Sequence, residues 1–388
     1  TGLIPGIHIN LVAVLVLSIA FISQLPITTL LIFITAMAIT HTFVDFIPAI
    51  FLGAPDEDTA LGILPGHKLL LNGQGHHALK LTLLGSTIAV FTLIIVVPVF
   101  IFAMPKIYPT LQRMMAFFLI WIVIFLIYNE KESKIKAILI FVMAGFLGLA
   151  TLNLNVEQPL LPLLTGLFGT STIIYSIKSK TIVPEQKIEK LKINKKDLIG
   201  PTLTTIFISP ICSFFPGLGS SQAAIIGSEI MPKISATKNK DKSNSEEFLI
   251  LLGSINTIVM SVSFVTLFLF QKSRTGAAFA ISQITQLSTT NLVTILITIA
   301  LSATIAIPIS LIISKLIAKH IHKISYTKIS IPILIFLIII ITFFTGILGL
   351  IILIVATLLG LTCIEIQTRR GFLMGAILIP TIIFYLPF

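Results

Sequence analysis

Charge is scarce in this chain: Asp, Glu, Lys and Arg together make up 11% of its 388 residues, against about 25% in an ordinary soluble domain. So little charge cannot cover a water-facing globule of this size, which excludes a soluble enzyme. Cysteine is down to two, Cys212 and Cys363, both in apolar surroundings and without CxxC spacing. That excludes a disulfide framework and a thiolate metal site, and leaves both residues as packing groups. No Gly-x-Ser-x-Gly, Walker A or HExxH pattern occurs, so the common hydrolase, nucleotide and zinc chemistries have no foothold. No metal and no cofactor are expected, beyond a Na⁺ or H⁺ used as a coupling ion.

What the chain has instead is apolar length. Hydrophobic residues reach 56% and the mean hydropathy is +1.07, values that call for lipid as solvent and a multi-pass place in the cell membrane. Runs long enough to cross ~30 Å of hydrocarbon at ~1.5 Å per residue lie near Thr29–Leu52, His77–Ala103, Leu111–Tyr128, Ala137–Leu154 and Leu160–Ile177. A second set lies near Phe248–Phe270, Asn291–Leu316, Ile329–Phe344, Ile347–Ile366 and Phe372–Leu386. The net charge of +11 sits in short segments between these runs. It therefore reads as a topology signal, and no nucleic-acid partner is expected.

Each set of spans is preceded by a Pro-Gly break: Gly2-Leu-Ile-Pro-Gly-Ile-His-Ile-Asn10 in the first half and Phe214-Phe-Pro-Gly-Leu-Gly-Ser-Ser-Gln222 in the second. A repeated break of this kind beside an apolar helix marks discontinuous membrane helices around a midplane site. If each break is a re-entrant hairpin, each half has five crossings and the second half enters the membrane upside down. Segments placed inside then carry 21 Lys and Arg and those outside carry 4, with Lys80 inside a span, a split that favours this orientation. The expected fold is an all-α polytopic membrane protein of two inverted repeats, 1–177 and 198–388, joined by a Lys-rich cytoplasmic linker, 178–197.

The breaks also supply the candidate binding groups. Pro at a helix start with Gly beside it leaves backbone N–H groups pointing past a positive helix end, which suits a carboxylate or phosphate. Pro5, Gly6, His8 and Asn10 in the first copy, and Pro216, Gly217, Gly219, Ser220 and Ser221 in the second, are the expected substrate contacts. His41 and Asp45 share a helix face at i and i+4 deep in an apolar run, and an ionisable pair there is costly and functional by default. They are the expected ion-coupling residues. Asn256 and Thr257 occupy the matching place in the second half, polar but uncharged, and are read as substrate contacts. Arg274, in the short loop Gln271–Gly276, is a candidate anion contact. Glu365, beside Arg369 near the end of a span, reads as half of a boundary ion pair.

These motifs, with Leu64-Pro-Gly-His-Lys-Leu-Leu-Leu-Asn-Gly-Gln-Gly-His-His-Ala-Leu79 and Gly85-Ser86, resemble the large membrane subunit of the tripartite tricarboxylate transporter family, in its archaeal branch. The resemblance implies secondary uptake of an organic anion held near the Pro-Gly loops. The acidic, Ala-Pro-Glu-containing motif of bacterial members is missing after the second loop, where Ser228-Glu-Ile-Met-Pro232 leads into a Lys-rich stretch. The expected function is secondary transport of a carboxylate-type anion coupled to H⁺ or Na⁺. The alternatives are a polyprenyl-phosphate translocase and, from another class, a membrane enzyme acting on lipid head groups. Expected partners are the anionic substrate, membrane lipid, and a second copy of the chain or a small accessory membrane subunit.

Overall fold

The computed structural model describes residues 2–3, 12, 16, 25–53, 59, 63–128, 130, 133–156, 158–178, 183–191, 193, 195–213, 220–230, 240–323 and 326–386. The regular secondary structure of the described residues is all helical: α1 Ile27–Val44, α2 Phe46–Leu52, α3 Ile63–Leu71, α4 Gly75–Tyr128, α5 Lys134–Asn153, α6 Leu160–Leu164, α7 Ser171–Lys178, α8 Lys195–Ser213, α9 Ser220–Ile230, α10 Lys240–Phe270, α11 Gly276–Ile284, α12 Thr289–His320, α13 Tyr326–Glu365 and α14 Gly375–Tyr385. A π-helical stretch, Thr165–Thr170, joins α6 to α7. Seven helical segments among the described residues are long and apolar enough to cross a membrane. In hydrocarbon a helix is the open-chain way to satisfy every backbone group from within. Ser288 and Thr275 start α12 and α11 by accepting from Asn291 N and Ala278 N, each at 3.2 Å, which supplies partners for orphan N-terminal donors.

The sequence places two spans on either side of Pro105–Pro109, and another two on either side of Thr345-Gly346. The structure treats the two places differently. α4 runs unbroken for 54 residues through Pro98, Pro105 and Pro109, each of which costs it one backbone hydrogen bond. In α13, Gly346 sits at φ 65°, ψ −163°, outside helical geometry and accessible at low cost only to glycine, so the helix is interrupted there.

Buried side chains form two main cores. The larger gathers α1 to α3, the first half of α4 as far as Met104, and α9 to α12. The smaller gathers α4 from Met115 onward, α5, α6, the second part of α13 and α14. α10 is the axis of the larger core, with 89% of its apolar window buried against 28% for α13. The packing is reciprocal. α10 lies on α4 while α1 lies on α12, and in the smaller core α14 lies on α5 while α13 lies on the π-helical stretch. Close helix crossings are built from glycines in matching pairs. A side chain at Gly85 would strike the Ile250 carbonyl and one at Gly253 the Thr82 carbonyl; Gly148 and Gly375 meet the carbonyls of Ala376 and Phe141 in the same way.

Residues 183–191, in the linker after α7, strap the turn between α3 and α4. Gly73, at φ 75°, ends α3 with bonds from Gln74 N to Leu69 O at 2.7 Å and from its own N to Leu70 O at 2.9 Å, a left-handed C-terminal cap. Buried Gln186 then accepts from Gly75 N at 2.8 Å and donates to Leu70 O at 3.0 Å. The Leu-Asn-Gly-Gln-Gly sequence is thus the seat of the strap. Nearby, burial pushes the His67 imidazole below its ordinary pKa, partly offset by a backbone hydrogen bond at Ile50.

Candidate functional site

Pro48 determines where the first long helix breaks. Its missing N–H deprives the Val44 carbonyl of a partner and its ring crowds that turn, so α1 ends at Val44 and α2 restarts at Phe46. Asp45 sits in the break, 1% exposed. Its backbone N donates to His41 O at 3.0 Å, and Ser310 Oγ of α12 donates to the Phe43 carbonyl at 3.3 Å. His41 and Thr42 are buried with it.

Facing this break is Gly253-Ser-Ile-Asn-Thr257 of α10, four of whose residues meet different neighbours. Gly253 packs on α4, and its carbonyl accepts from Ser86 Oγ at 3.0 Å. Ser254 pairs with Thr205 of α8. Asn256 Nδ2 donates to Asp45 Oδ2 at 2.8 Å, and Ser220 Oγ donates to Asn256 Oδ1 at 3.3 Å. Thr257 Oγ1 lies 3.2 Å from Thr42 Oγ1. The result is a buried polar chain, Ser220–Asn256–Asp45, each member 1% exposed. A neutral amide that donates to a carboxylate and accepts from a hydroxyl has only one orientation open to it.

The described edges of both Pro-Gly motifs reach this chain. Ser220, within the second motif, is the first residue of α9. Gly2, at the edge of the first, is so close to the break that an added Cβ would lie 3.1 Å from Asp45 N and 3.2 Å from His41 O. Pro5, Gly6, His8, Asn10, Pro216, Gly217 and Gly219 lie outside the described residues, as does the side chain of Ser221. Of the expected site residues, Asp45, Asn256 and Ser220 are bonded in one chain, with His41 a turn before Asp45 and Thr257 beside Asn256. Arg274 stands apart. Its partners are Tyr108 and Tyr385, and burial lowers its pKa while those two phenols counteract the shift. Glu365 pairs with Lys178 at 3.4 Å, and Arg369 with Glu130 at 3.2 Å, so the two are not partners of each other.

Sequence reasoning passed over Thr42 and Ser310, which carry no signal beyond being hydroxyls in apolar helices. It also passed over Arg370, counted only as a topology charge. The structure buries Arg370 at 4% exposure against the π-helical stretch.

Long apolar helices around a buried carboxylate–amide–hydroxyl chain define a multi-pass helical membrane protein with a polar centre. The model of the tripartite tricarboxylate transporter TctA family matches residues 1–375, and the chain belongs to that family. It is similar to an uncharacterized protein of Methanocaldococcus jannaschii, 29% identical over 400 residues, an alignment covering 100% of this chain and 96% of the relative. No solved structure matches. The family is one of transporter-type membrane proteins that work with other subunits in tripartite systems and carry anionic substrates.

Proposed function

We propose that the protein is a secondary transporter of a carboxylate-type organic anion, coupled to H⁺ or Na⁺ through Asp45, with substrate held between the two Pro-Gly loops. The observation that carries this reading is the convergence of Gly2 and Ser220, the described edges of the two motifs, on the buried Asp45–Asn256 pair. A carboxylate at membrane depth is costly, and proton relays and ion sites are the settings in which it is retained. The uncharged partner from the other half gives the site one ionisable side and one neutral side, which suits coupling on the first and recognition on the second.

The reciprocal packing of α1 on α12 and of α10 on α4 supports two repeats, 1–177 and 198–388, related by inversion. In that arrangement the exposed strap residue Lys187 is inside and the exposed loop residue Ser273 outside. With a single cysteine at either position in intact cells, an impermeant thiol reagent should label Ser273→Cys and spare Lys187→Cys. Equal labelling of both would end the inverted model.

The test of function is uptake into vesicles loaded with purified protein, under an imposed pH or Na⁺ gradient, across di- and tricarboxylates. Saturable accumulation of at least one carboxylate that collapses with the gradient is the expected result. Accumulation indifferent to both gradients would remove the coupled mechanism. A substrate set limited to phosphates would remove the carboxylate class.

A further inference from the structure

A second polar constellation lies away from Asp45, at the seam of α4 and α12. His76, in the first turn of α4, is 3% exposed, and its Nδ1 lies 2.8 Å from Ser314 Oγ of α12. That bond fixes the register of the two helices. It also sets the next residue of α12, Lys315, against Lys80, one turn beyond His76 on the same face of α4. Lys80 and Lys315 are within electrostatic range of each other, and both act on His76.

No described carboxylate is bonded to either of them. Lys80 Nζ donates to the backbone carbonyl of Glu189 in the strap at 2.7 Å, which offers a dipole and no charge. The nearby carboxylate of Glu246 is bonded to His77 Nε2 at 3.2 Å. Among the described residues neither lysine has an ion pair. Two ammonium groups held together repel, and at the edge of hydrocarbon the repulsion is poorly screened. An anion between them converts the repulsion into binding, and basic pockets between membrane helices on the inner side take phosphate-bearing head groups by this chemistry. The surrounding excess of lysine, with Lys319 and Lys323 at the same end of the bundle, places the site inside by the charge rule.

We propose that Lys80 and Lys315, registered by the His76–Ser314 bond, with Lys80 held by its bond to the strap carbonyl of Glu189, form a binding site for a phosphate-type oxyanion at the inner end of the α4–α12 seam. This site is separate from the Asp45 chain and does not depend on the identity of the transported substrate. The phosphate can belong to a lipid head group or be free in solution, and the two sources are separable.

The experiment measures the unfolding temperature of the full chain in nanodiscs, since binding to the native state raises it. In one arm phosphatidylcholine discs are titrated with inorganic phosphate; in the other, phosphatidylglycerol replaces part of the phosphatidylcholine. A stabilising shift in at least one arm is expected, and the arm that gives it identifies the source. In K80Q/K315Q the anion affinity should fall roughly thirtyfold, the share of two lysines near a membrane surface. K80R/K315R should retain it, and K319Q, an exposed lysine on the same helix, should leave it unchanged. The shift should also persist in Asp45→Asn. Absence of a shift in both arms, an equal shift in K80Q/K315Q, or loss of the shift in Asp45→Asn would each overturn the proposal. The last outcome would assign the anion to the substrate site without touching the case for transport.

Discussion

Asp45→Asn should abolish gradient-driven uptake while leaving the protein folded. The replacement is nearly isosteric, and its amide oxygen can go on accepting from Asn256 Nδ2, the bond that measures 2.8 Å in the native chain. What disappears is the one group in the Ser220–Asn256–Asp45 chain that can exchange a proton or bear a charge for a cation. The loss of stability should stay near ~1–3 kcal/mol, the range for weakening a hydrogen bond to a charged acceptor. Transport under a pH or Na⁺ gradient should drop to the level of protein-free vesicles. Asn256→Ala separates the roles, because it leaves the carboxylate but removes the donor and the acceptor of Ser220. It should weaken substrate binding without erasing gradient dependence. If Asp45→Asn vesicles kept their full pH or Na⁺ dependence, Asp45 would be a structural residue of the α1–α2 break and no more.

The second large effect belongs to Arg370→Met. The guanidinium is buried at 4% exposure, and its hydrogen-bond partners among the described residues are all neutral. Nη2 donates to the carbonyls of Leu167 and Phe168 at 2.7 and 2.9 Å and to Ser171 Oγ at 2.7 Å, while Nη1 donates to Thr172 Oγ1 at 2.5 Å. The group also lies over the Phe168 ring, 5.4 Å from its centroid. Those carbonyls belong to the π-helical stretch, where the normal i to i+4 ladder is shifted by one residue. Arg370 therefore clasps the far side of the smaller core, tying the turn before α14 to α7. Methionine fills much of the volume and donates nothing, so two buried carbonyls lose their donors at ~1–3 kcal/mol each. The sum, on the order of 3 kcal/mol or more, should appear as a clear fall in unfolding temperature in detergent. Lysine should restore only part of it, since an ammonium lacks the planar fork. An Arg370→Met protein that melts with the wild type would show that the clasp contributes nothing to stability.

The membrane class and the His41–Asp45 face were legible in the sequence because each is a local signal: hydropathy and a spacing of four. Asn256 was legible by analogy, through its matching position in the second half. The contacts that join them were not. Asp45 and Asn256 are 211 residues apart, and no local pattern encodes which helix faces which. Arg370 was read as a topology charge because it follows Arg369 at the end of a span, and burial is a property of the packed bundle. α4 was divided at Pro105 and Pro109 because proline usually ends a helix, yet a continuous apolar ladder on both sides carried it through.

That helix has a mechanical consequence. At ~1.5 Å per residue, its 54 residues reach ~80 Å, with one end fastened in the core that holds Asp45 and the other in the core that holds Arg370. Such a rod transmits a push along its length and resists stretching, so the two cores cannot slide apart along it. Its compliance is in bending, and it is concentrated where Pro98, Pro105 and Pro109 leave the carbonyls of Ile94, Ile101 and Pro105 without a helical donor. A displacement of one core against the other must therefore appear as a change of angle between Met104 and Met115, with Tyr108 near its pivot. Arg274 and Lys272, both on Tyr108, load the rod beside Pro105 and Pro109.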